Sequence, residues 1–381
     1  MKPKYITQID QLTHLSKQEQ DRLKQVADLY SFRASEYYMS LVNWDDPDDP
    51  IRRTIIPSAD ELEQWGMLDP SGEHHYTVMP GLEHKYRSTV LLLVSNVCGG
   101  ICRYCFRKRV FLKDHNELLQ NLPAAMEYIG RHSEISNVLL TGGDPLILAT
   151  NKLNDIIKQL RTIEHIQIIR LGTKMTAFNP HRILDDPDLL KMIQKYSTDK
   201  KKIYIMTHFN HPREITDPAV RSVNLLCRAG AILANQTPLI RGLNDRPQVL
   251  AELFKKLSFI GVPPYYVFQC RPAVGNKAYV VPIEQGYDIF EQARSMVSGL
   301  AKRARYVMSH HTGKIEIIAK DAQYTYLKYH RMPDDIVNNR FMKVKNNPQA
   351  CWLNDYEEIT DLDSAEKLFG DVESADTNTQ V

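Results

Sequence analysis

Residues 88–109 read STVLLLVSNVCGGICRYCFRKR, an apolar run followed closely by three cysteines. The run is short and aliphatic, which is typical of a buried β-strand. Gly99 and Gly100, between the first two cysteines, allow the backbone to bend sharply. The stretch therefore predicts a strand whose carboxyl end leads directly into a cysteine-bearing loop.

The alternation of a short strand with an amphipathic helix continues downstream of this stretch. Further β-branched or aliphatic runs follow, namely SNVLLTGG, IQIIRLGTK, KIYIMTHF, AILANQTPL and PPYYVFQC. The segments between them carry apolar residues near i, i+3 and i+4, which predicts helices within residues 118–132, 151–163, 187–196, 218–230 and 247–261. Alternating strands and helices favour parallel pairing through right-handed crossovers. We therefore expect an α/β sheet or barrel, open or closed, with functional residues at the carboxyl ends of its strands.

Three segments flank the expected core of residues 86–304. Residues 1–85 predict an N-terminal helical extension, in which residues 16–44 have helical spacing and the acidic stretch 45–49 is expected to be a solvated loop. The core is expected to end with a long helix over residues 283–303. Residues 305–368 are expected to form a C-terminal segment, in which the stretch up to His330 predicts two strands with a turn near Lys320 and Asp321, and residues 369–381 are polar and expected to be disordered.

The overall composition gives no reason to expect a strongly charged partner. The 48 Lys and Arg residues nearly balance 46 Asp and Glu residues, which leaves a formal net charge of +2. Neither nucleic acid nor a membrane surface is therefore expected to bind. No apolar run approaches the roughly 20 residues that span a bilayer, and the first ten residues lack the apolar core of a signal peptide. We expect a cytoplasmic location.

Three of the six cysteines lie within eight residues, at Cys98, Cys102 and Cys105. Such short spacings let one loop wrap around an iron-sulfur cluster, and three ligands leave one iron open for a substrate. A Cys3His zinc site, with His115 or a distant histidine as fourth ligand, is the alternative. The other cysteines are scattered and are expected to be small core residues: Cys227, Cys270 and Cys351.

The cysteine loop, with the aromatic Tyr104 immediately before the third cysteine, resembles the CxxxCxxC signature of the radical S-adenosylmethionine (SAM) superfamily. The resemblance implies a 4Fe-4S cluster with three irons bound by cysteine and the fourth by SAM, whose reductive cleavage gives a 5'-deoxyadenosyl radical. It also implies a partial (β/α)6 barrel of the TIM type and an electron donor such as flavodoxin or ferredoxin.

Later strand ends supply the candidate SAM ligands. In LLTGGDP, Gly142, Gly143 and Asp144 stand where members of the superfamily bind the amino group of the methionine moiety. Polar residues that follow other strands are candidates for the ribose or the substrate. Of these, the ones we assign to SAM are Thr173, His208 and Gln236.

A narrower resemblance, over residues 86–314, is to the lysine 2,3-aminomutase family. The motifs CRYCFRKR, LTGGDPL, RLGTK, THFNHPREIT, NQTPLIRGLND and PPYYVFQC match that family in order and spacing. The resemblance implies migration of an amino group between adjacent carbons, with pyridoxal phosphate bound through a lysine whose position Lys314 occupies. The family has four glycines before that lysine, but this chain has His310, His311, Thr312 and Gly313.

The cofactor phosphate and the substrate also have expected ligands. Family arginines that precede the cluster bind the phosphate, and this chain offers Lys85 and Arg87 but has Thr89 where the nearer arginine is expected. Arg107 matches the family arginine that pairs with the substrate α-carboxylate, and Asn210 is a second candidate contact.

The substrate side chain is expected to differ from that of lysine. The family binds the lysine side chain with two acidic residues, and both are missing here. Arg271 stands where one of them is expected. A buried arginine would repel a lysine ammonium group, so we expect an acidic or neutral side chain. The alternative is that Arg271 forms a structural ion pair.

Other functions remain open from the sequence. A radical SAM enzyme of the same fold could work without pyridoxal phosphate or could modify a lysine of a partner protein. A zinc-stabilised binding protein is a hypothesis of a different class. The family also implies a homo-oligomer, with the N-terminal helices as a possible contact surface.

Overall fold

The computed structural model describes residues 4–112, 117–333 and 339–362. The α-helices in these ranges are α1 (Lys17–Leu29), α2 (Glu36–Met39), α3 (Pro50–Ile55), α4 (Leu122–Arg131), α5 (Thr150–Thr162), α6 (Met175–Phe178), α7 (His181–Leu184), α8 (Pro187–Tyr196), α9 (Asp217–Arg228), α10 (Pro247–Phe259) and α11 (Ile283–Ser295). Short 3-10 helices include Ala59–Leu62, Glu73–Tyr76 and Gly299–Arg303. None of the helices in the described ranges combines the length and apolar character needed to cross a membrane.

The strands are β1 (Tyr5–Ile6), β2 (Ala34–Ser35), β3 (Thr77–Met79), β4 (Leu82–Tyr86), β5 (Thr89–Ser95), β6 (Asn137–Gly142), β7 (Ile168–Thr173), β8 (Lys202–Thr207), β9 (Ile232–Leu239), β10 (Pro264–Gln269), β11 (Arg305–His310), β12 (Gly313–Lys320), β13 (Tyr324–Arg331), β14 (Phe341–Lys345) and β15 (Ile359–Asp361). Within the described residues, β3 to β15 form one sheet in which spatial order equals chain order. The strands from β5 to β11 are parallel. Antiparallel strands extend the sheet on both sides.

The predicted α/β array is confirmed, and it forms the partial barrel. The apolar runs of the sequence correspond to β5 to β10, and β11 is one more parallel strand. The intervening helices α4, α5, α8, α9 and α10 bury one apolar face each against the sheet in a continuous core. Because right-handed crossovers return each helix to the same side, the carboxyl ends of the parallel strands meet at one open end of the barrel.

The two sides of the partial barrel face each other across a seam, which we define by its three bridging side chains: Tyr76, Lys85 and Arg331. The Tyr76 hydroxyl donates to the carbonyl of His311 at 2.9 Å. The Lys85 Nζ donates to the carbonyl of His310 at 2.7 Å. Arg331 Nη2 donates to Ser88 Oγ at 2.7 Å. Side chains thus join the first strands of the sheet to the turn and strands that follow β11.

The N-terminal extension is only partly as expected. Helices α1 to α3 are present, but residues 77–86 form β3 and β4 at the edge of the main sheet. The prediction of a solvated loop over residues 45–49 is wrong for Asp49, which is fully buried. Its carboxylate accepts from the backbone N–H of Arg52 and caps α3, and it also pairs with Arg213.

The C-terminal part of the core also differs from expectation. Helix α11 ends at Ser295 rather than residue 303, since Val297, Ser298 and Gly299 are poor helix formers. The stretch up to His330, in which two strands were expected, contains the three strands β11, β12 and β13, because His311 and Thr312 make an additional turn between β11 and β12. That turn has no Asn-Gly or Pro signal, so the sequence does not reveal it. The proposed tail of residues 369–381 and the alternative zinc ligand His115 lie outside the described residues.

Candidate active site

A cavity of about 350 Å³ opens at the carboxyl ends of the parallel strands. Its wall brings together nearly all the predicted site residues, namely Cys98, Cys102, Cys105, Gly142, Gly143, Asp144, His208, Asn210, Gln236, Lys85, Arg107, Arg271 and Lys314. Two predicted residues are not part of the wall. Arg87 is exposed at the turn between β4 and β5, and Thr173 is buried behind Asp144.

The cysteine loop is held in place by the N-terminal extension. Arg103, between the second and third cysteines, is 1% exposed and forms a two-pronged ion pair with the fully buried Glu61. Lys108 pairs with the same carboxylate at 3.3 Å. Arg33 Nε donates to the carbonyl of Cys98 at 2.8 Å. These contacts fix the loop at several points, which is the kind of support that a precisely positioned cluster requires.

Glycine at positions 99 and 100 allows this loop to pack closely against neighbouring side chains. A Cβ on Gly99 would lie 2.4 Å from Met175 Sδ, and one on Gly100 would lie 2.9 Å from Ile55 Cδ1. The loop is therefore pressed between α3 of the extension and α6, which follows β7. The extension forms one wall of the cysteine site.

The three thiols are enclosed by protein and suit a cluster. Burial raises the pKa of all three, that of Cys102 to about 12, so the thiolate forms need a compensating positive charge such as iron. Among the described residues, no three His, Cys, Asp or Glu side chains are grouped as a site for one metal ion. Cys98, Cys102 and Cys105 all line the cavity, and three cysteine thiols from one loop are a ligand set that an iron-sulfur cluster takes.

The glycine pair at the end of β6, Gly142 and Gly143, lies against the backbone that precedes the first cysteine. Gly142 has φ +115°, and a Cβ there would lie 2.3 Å from the carbonyl oxygen of Ser95. A Cβ on Gly143 would lie 2.4 Å from the carbonyl oxygen of Val97. The backbone N–H of Asp144 donates to that Val97 carbonyl at 2.8 Å. The segment is thus locked beside the cysteine loop.

The Asp144 carboxylate is occupied within the protein. It accepts from the Thr173 hydroxyl at 2.8 Å and from the backbone N–H groups of Lys174 and Leu146. Burial raises its pKa to about 6, although these hydrogen bonds act in the opposite direction. Asp144 and Thr173 therefore tie the end of β6 to the end of β7, and this bond explains why Thr173 does not face the cavity.

Polar groups that follow β8 or lie within β9 also face the cavity. His208 is enclosed, and burial followed by the neighbouring Lys174 lowers its pKa to about 4, so the imidazole is neutral at pH 7. Gln236 lies on the wall. Asn210 donates to the Tyr104 hydroxyl at 2.6 Å, and its buried Oδ1 has no hydrogen-bond partner in the described part of the chain. Asn210 therefore also supports the cysteine loop.

Lys314 lies among aromatic rings on the opposite wall. Its Nζ is 4.8 Å from the ring centroid of Tyr266, 5.7 Å from that of Phe268 and 6.0 Å from that of Tyr86. No carboxylate of the described residues pairs with it. Burial, followed by the charges of Arg170 and Arg331, lowers its pKa to about 7. Much of the population is thus a neutral, nucleophilic amine at neutral pH.

Two arginines near Lys314 were missed from the sequence. Arg170 on β7 and Arg331 on β13 both line the cavity. Arg170 is a charged residue within the largely aliphatic strand IIRLGT, and that position is a signal that could have found it. Arg331 ends a strand and carries no local signal. Its position depends on the pairing of β13 with β12, which the sequence does not specify.

Arg107 is engaged by an acid that the sequence did not indicate. Its Nε and Nη2 both donate to the Glu73 carboxylate, and its Nη1 donates to the Thr141 hydroxyl. Burial alone would raise the pKa of Glu73, but Arg107 and Arg109 bring it down to about 2. The edge of the guanidinium expected to bind a substrate carboxylate is therefore occupied by Glu73.

Glu83 on β4 is a second acid of the cavity that the sequence did not indicate. Burial and the neighbouring Glu73 raise its pKa to about 8, so this carboxyl is mostly protonated at neutral pH. A neutral Glu83 and an ion-paired Glu73 leave this part of the cavity without a free negative charge.

Arg271, which follows β10, has a buried guanidinium donor that is not used within the described part of the protein. It lies flat on Phe106, with its Cζ 3.5 Å from the ring centroid. Its buried Nη1 has no hydrogen-bond partner in the described ranges. Burial lowers its pKa to about 10, which leaves the group charged at neutral pH. No ion pair to Arg271 is present among the described residues, and the residue lines the cavity.

The three cysteines outside the loop only partly follow the expectation that they are buried core residues. Cys270 is buried as predicted and lines the cavity, and Cys351 is half-buried. The prediction for Cys227 is wrong, since it is exposed on α9. It lies between the buried positions of that helix, so the apolar periodicity did not require it to face the core.

Comparison with known proteins gives consistent matches. The sequence profile of the Radical SAM superfamily matches residues 92–254. A protein of Aquifex aeolicus named "Putative L-lysine 2,3-aminomutase" is 52% identical over 94% of this chain and 96% of its own length. L-lysine 2,3-aminomutase of Clostridium subterminale is 37% identical over 75% of this chain and 68% of its own. Glutamate 2,3-aminomutase of Clostridioides difficile is 35% identical over 78% and 70%, respectively.

Proposed function

The chain belongs to the lysine 2,3-aminomutase family of the radical SAM superfamily, and from this premise we propose that it moves an amino group between adjacent carbons of an amino acid with the help of pyridoxal phosphate. Members of this family are radical SAM isomerases. The observation that carries the proposal is that Lys314 shares one cavity with the three loop cysteines and the glycine pair at the end of β6.

The implied cofactors fit the groups on the cavity wall. When bound, the cluster and SAM supply a 5'-deoxyadenosyl radical, and pyridoxal phosphate supplies a π system that can accept the migrating nitrogen. Cys98, Cys102 and Cys105 hold the cluster. Gly142 and Gly143 offer backbone carbonyls to the amino group of SAM, while Asp144 holds these carbonyls in position. His208 and Gln236 are further polar contacts.

Lys314 is the residue to which pyridoxal phosphate is attached. A lysine acts as a nucleophile only when it is unprotonated, and the aromatic, cation-rich surroundings of Lys314 favour that form. The turn of His311 and Thr312 replaces the glycines of the family without closing access, because Lys314 still lines the cavity.

The substrate is an amino acid with an acidic or neutral side chain. Arg271 brings a charged guanidinium with an unused donor to the cavity, whereas Glu73 is neutralised by Arg107 and Arg109. A lysine side chain would bring a second cation to an enclosed arginine, which is unfavourable. A carboxylate would instead pair with it. That one relative of the family is named a glutamate aminomutase supports an acidic substrate.

Anaerobic reconstitution tests the reaction. The protein with iron, sulfide, SAM, pyridoxal phosphate and a strong reductant should form 5'-deoxyadenosine and a β-amino acid from a panel of amino acids. Cys105→Ala should abolish both products. Lys314→Ala should abolish the β-amino acid, whereas Lys320→Ala, which removes a lysine paired with Asp288 away from the cavity, should retain activity. An active Lys314→Ala variant would exclude the role of this lysine.

Substrate choice is tested on the same preparation. Glutamate, aspartate, alanine and lysine should be compared at equal concentrations, and kcat/KM should be higher for the acidic or neutral members than for lysine. Arg271→Met should lower kcat/KM for the acidic members by about ten- to hundredfold, the effect of one charge-assisted contact. Rapid conversion of lysine by the unmodified protein would contradict the substrate assignment.

A further inference from the structure

The cavity contains a group of cations without a matching acid, which we call the cationic group: Lys85, Arg170, Lys314 and Arg331. All four line the cavity. Within the described residues, no Asp or Glu forms an ion pair with any of them. They come from four different strands of the sheet: β4, β7, β12 and β13.

Two members of the cationic group are direct neighbours. Lys314 on β12 is paired in register with Arg331 on β13. Directly opposed residues on antiparallel strands point to the same face, and like charges at such positions destabilise the sheet. The pKa of Lys314 is lowered first by burial and then by Arg170 and Arg331, which is the electrostatic cost of this arrangement. A bound anion would turn that repulsion into attraction.

Arg331 reaches the position on β5 where the family resemblance implies an arginine and this chain has Thr89. Its Nη2 donates to Thr89 Oγ1 at 3.1 Å and to Ser88 Oγ at 2.7 Å. Its guanidinium lies over the ring of Tyr86, with Cζ 4.5 Å from the centroid. Thr89 is the position where the family resemblance implies a phosphate-binding arginine. The guanidinium of Arg331 therefore reaches this position from the other side of the seam.

Arg170 is oriented by a hydrogen bond from its Nε, and within the described residues the N–H donors of its Nη1 and Nη2 remain available for a ligand. Its Nε donates to Asn137 Oδ1 at 2.8 Å, which orients the guanidinium on the cavity wall. Lys85, although it donates to the carbonyl of His310, has two further N–H bonds. Arg87, the other expected phosphate ligand, is exposed and does not line the cavity.

We propose that Arg331 and Arg170, assisted by Lys85, bind the phosphate of pyridoxal phosphate, and that Arg331 replaces across the seam the arginine missing at Thr89. The inference rests on the proposed function, since it assumes that this cofactor is attached to Lys314. A phosphate dianion has enough acceptor oxygens for two guanidinium groups and one ammonium group.

Binding of pyridoxal phosphate and of pyridoxal, which lacks the phosphate, tests the assignment. Each aldehyde is titrated into the cluster-reconstituted protein, and the visible-edge absorbance band of the bond to Lys314 is recorded. The unmodified protein should bind pyridoxal phosphate far more tightly than pyridoxal.

Arg331→Met should lower the affinity for pyridoxal phosphate by about ten- to hundredfold, the effect of one charge-assisted contact. Its affinity for pyridoxal should change much less, because pyridoxal has no phosphate to lose a contact. Arg331→Lys should recover part of the loss, because the charge remains but the guanidinium fork does not.

Two control variants separate phosphate binding from folding. Ser88→Ala removes the same cross-seam hydrogen bond without removing a charge and should keep the preference for the phosphorylated aldehyde. Arg305→Met removes an arginine of β11 that pairs with Glu316 away from the cavity and should also keep it. Arg170→Met provides a second loss of charge should Arg331→Met fail to fold. Inorganic phosphate should compete with pyridoxal phosphate in the unmodified protein and lose this effect in the arginine variants.

The outcomes distinguish the two proposals. If the band forms on Lys314 but Arg331→Met and Arg170→Met keep the full preference for the phosphorylated aldehyde, the phosphate assignment is wrong while the proposed function stands. If no band forms, or if the band persists in Lys314→Ala, the proposed function fails and the phosphate assignment fails with it.

Discussion

At the scale of single residues, the reactivity of Lys314 should depend on pH in an unusual range. Its pKa is lowered to about 7 by burial and neighbouring cations. A lysine amine reacts only when unprotonated, so the rate of bond formation with pyridoxal phosphate should rise through pH 7 and level off above it. Stopped-flow absorbance between pH 5.5 and pH 9 measures this profile. A rate that keeps rising up to pH 10, as an ordinary lysine would give, would contradict the burial of Lys314.

Glu83 should make the folded protein less stable as the pH rises. Burial and Glu73 raise its pKa from 4.5 to about 8. The folded state thus retains a proton that the unfolded state releases, so the stabilisation is complete below pH 4.5 and is lost as the pH approaches 8. Glu83→Gln cannot lose this proton. The variant should lose less stability than the unmodified protein between pH 5 and pH 8.

Urea unfolding at these two pH values measures the effect of Glu83→Gln. Glu63→Gln is the matched control, because it makes the same change at an exposed carboxylate that pairs with Lys277. An identical pH dependence in all three proteins would show that Glu83 is not protonated in the folded state.

The residues that the sequence located are those in short, ordered motifs. The cysteines, Gly142 and Lys314 lie at the positions that the family motifs indicate, and the structure brings them to one cavity. Glu73 and Arg331 could not be located this way. Each reaches the cavity only through the three-dimensional arrangement of distant segments, and neither belongs to a motif.

At the scale of structural elements, the cysteine loop should depend on the short 3-10 helix that carries Glu61. This carboxylate is fully buried and pairs with Arg103 and Lys108, which flank the last cysteine. Removing one partner of a buried ion pair costs about 3–5 kcal/mol. Glu61→Gln should therefore loosen the loop and lower the iron retained after anaerobic desalting.

The control for Glu61→Gln is again Glu63→Gln. Glu63 and Lys277 are about half exposed, and such surface pairs contribute about 0–1 kcal/mol. Iron content and the brown absorbance of the cluster should be unchanged in this control. Equal iron retention in both variants would show that Glu61 does not support the cluster loop.

The elements that were predicted correctly have a strong periodicity of apolar residues. Strands β5 to β10 and the helices between them follow from short aliphatic runs and from 3.6-residue spacing, because each buries one face in the core. The end of α11 and the turn at His311 and Thr312 were missed. The poor helix formers at residues 297–299 are a weak local signal beside the helical period, and the turn has no Asn-Gly or Pro signal.

At the scale of the whole molecule, the parallel array could be predicted but the seam could not. Alternating strands and helices allow few topologies, so the α/β array and the end of the sheet that carries the site follow from the sequence. The seam joins Lys85 to His310 and Ser88 to Arg331, more than two hundred residues apart. No local pattern encodes contacts at that separation, and the cationic group depends on them.

The seam gives a prediction about the molecule as a whole. Pyridoxal phosphate bound to Lys314 and to the cationic group would contact β4 on one side of the seam and β12 and β13 on the other. A ligand that bridges two segments lowers the frequency with which they separate. Amide hydrogen exchange should therefore slow in β4, β12 and β13 when the cofactor is added, and should not change in α8 and α9 on the outer surface. Pyridoxal, which lacks the phosphate, should slow β12 but leave β4 nearly unchanged, because it reaches Lys314 without joining Lys85 and Arg331. Mass spectrometry of peptic peptides from the reconstituted protein measures these differences, and equal protection of β4 by the two aldehydes would show that the phosphate does not bridge the seam.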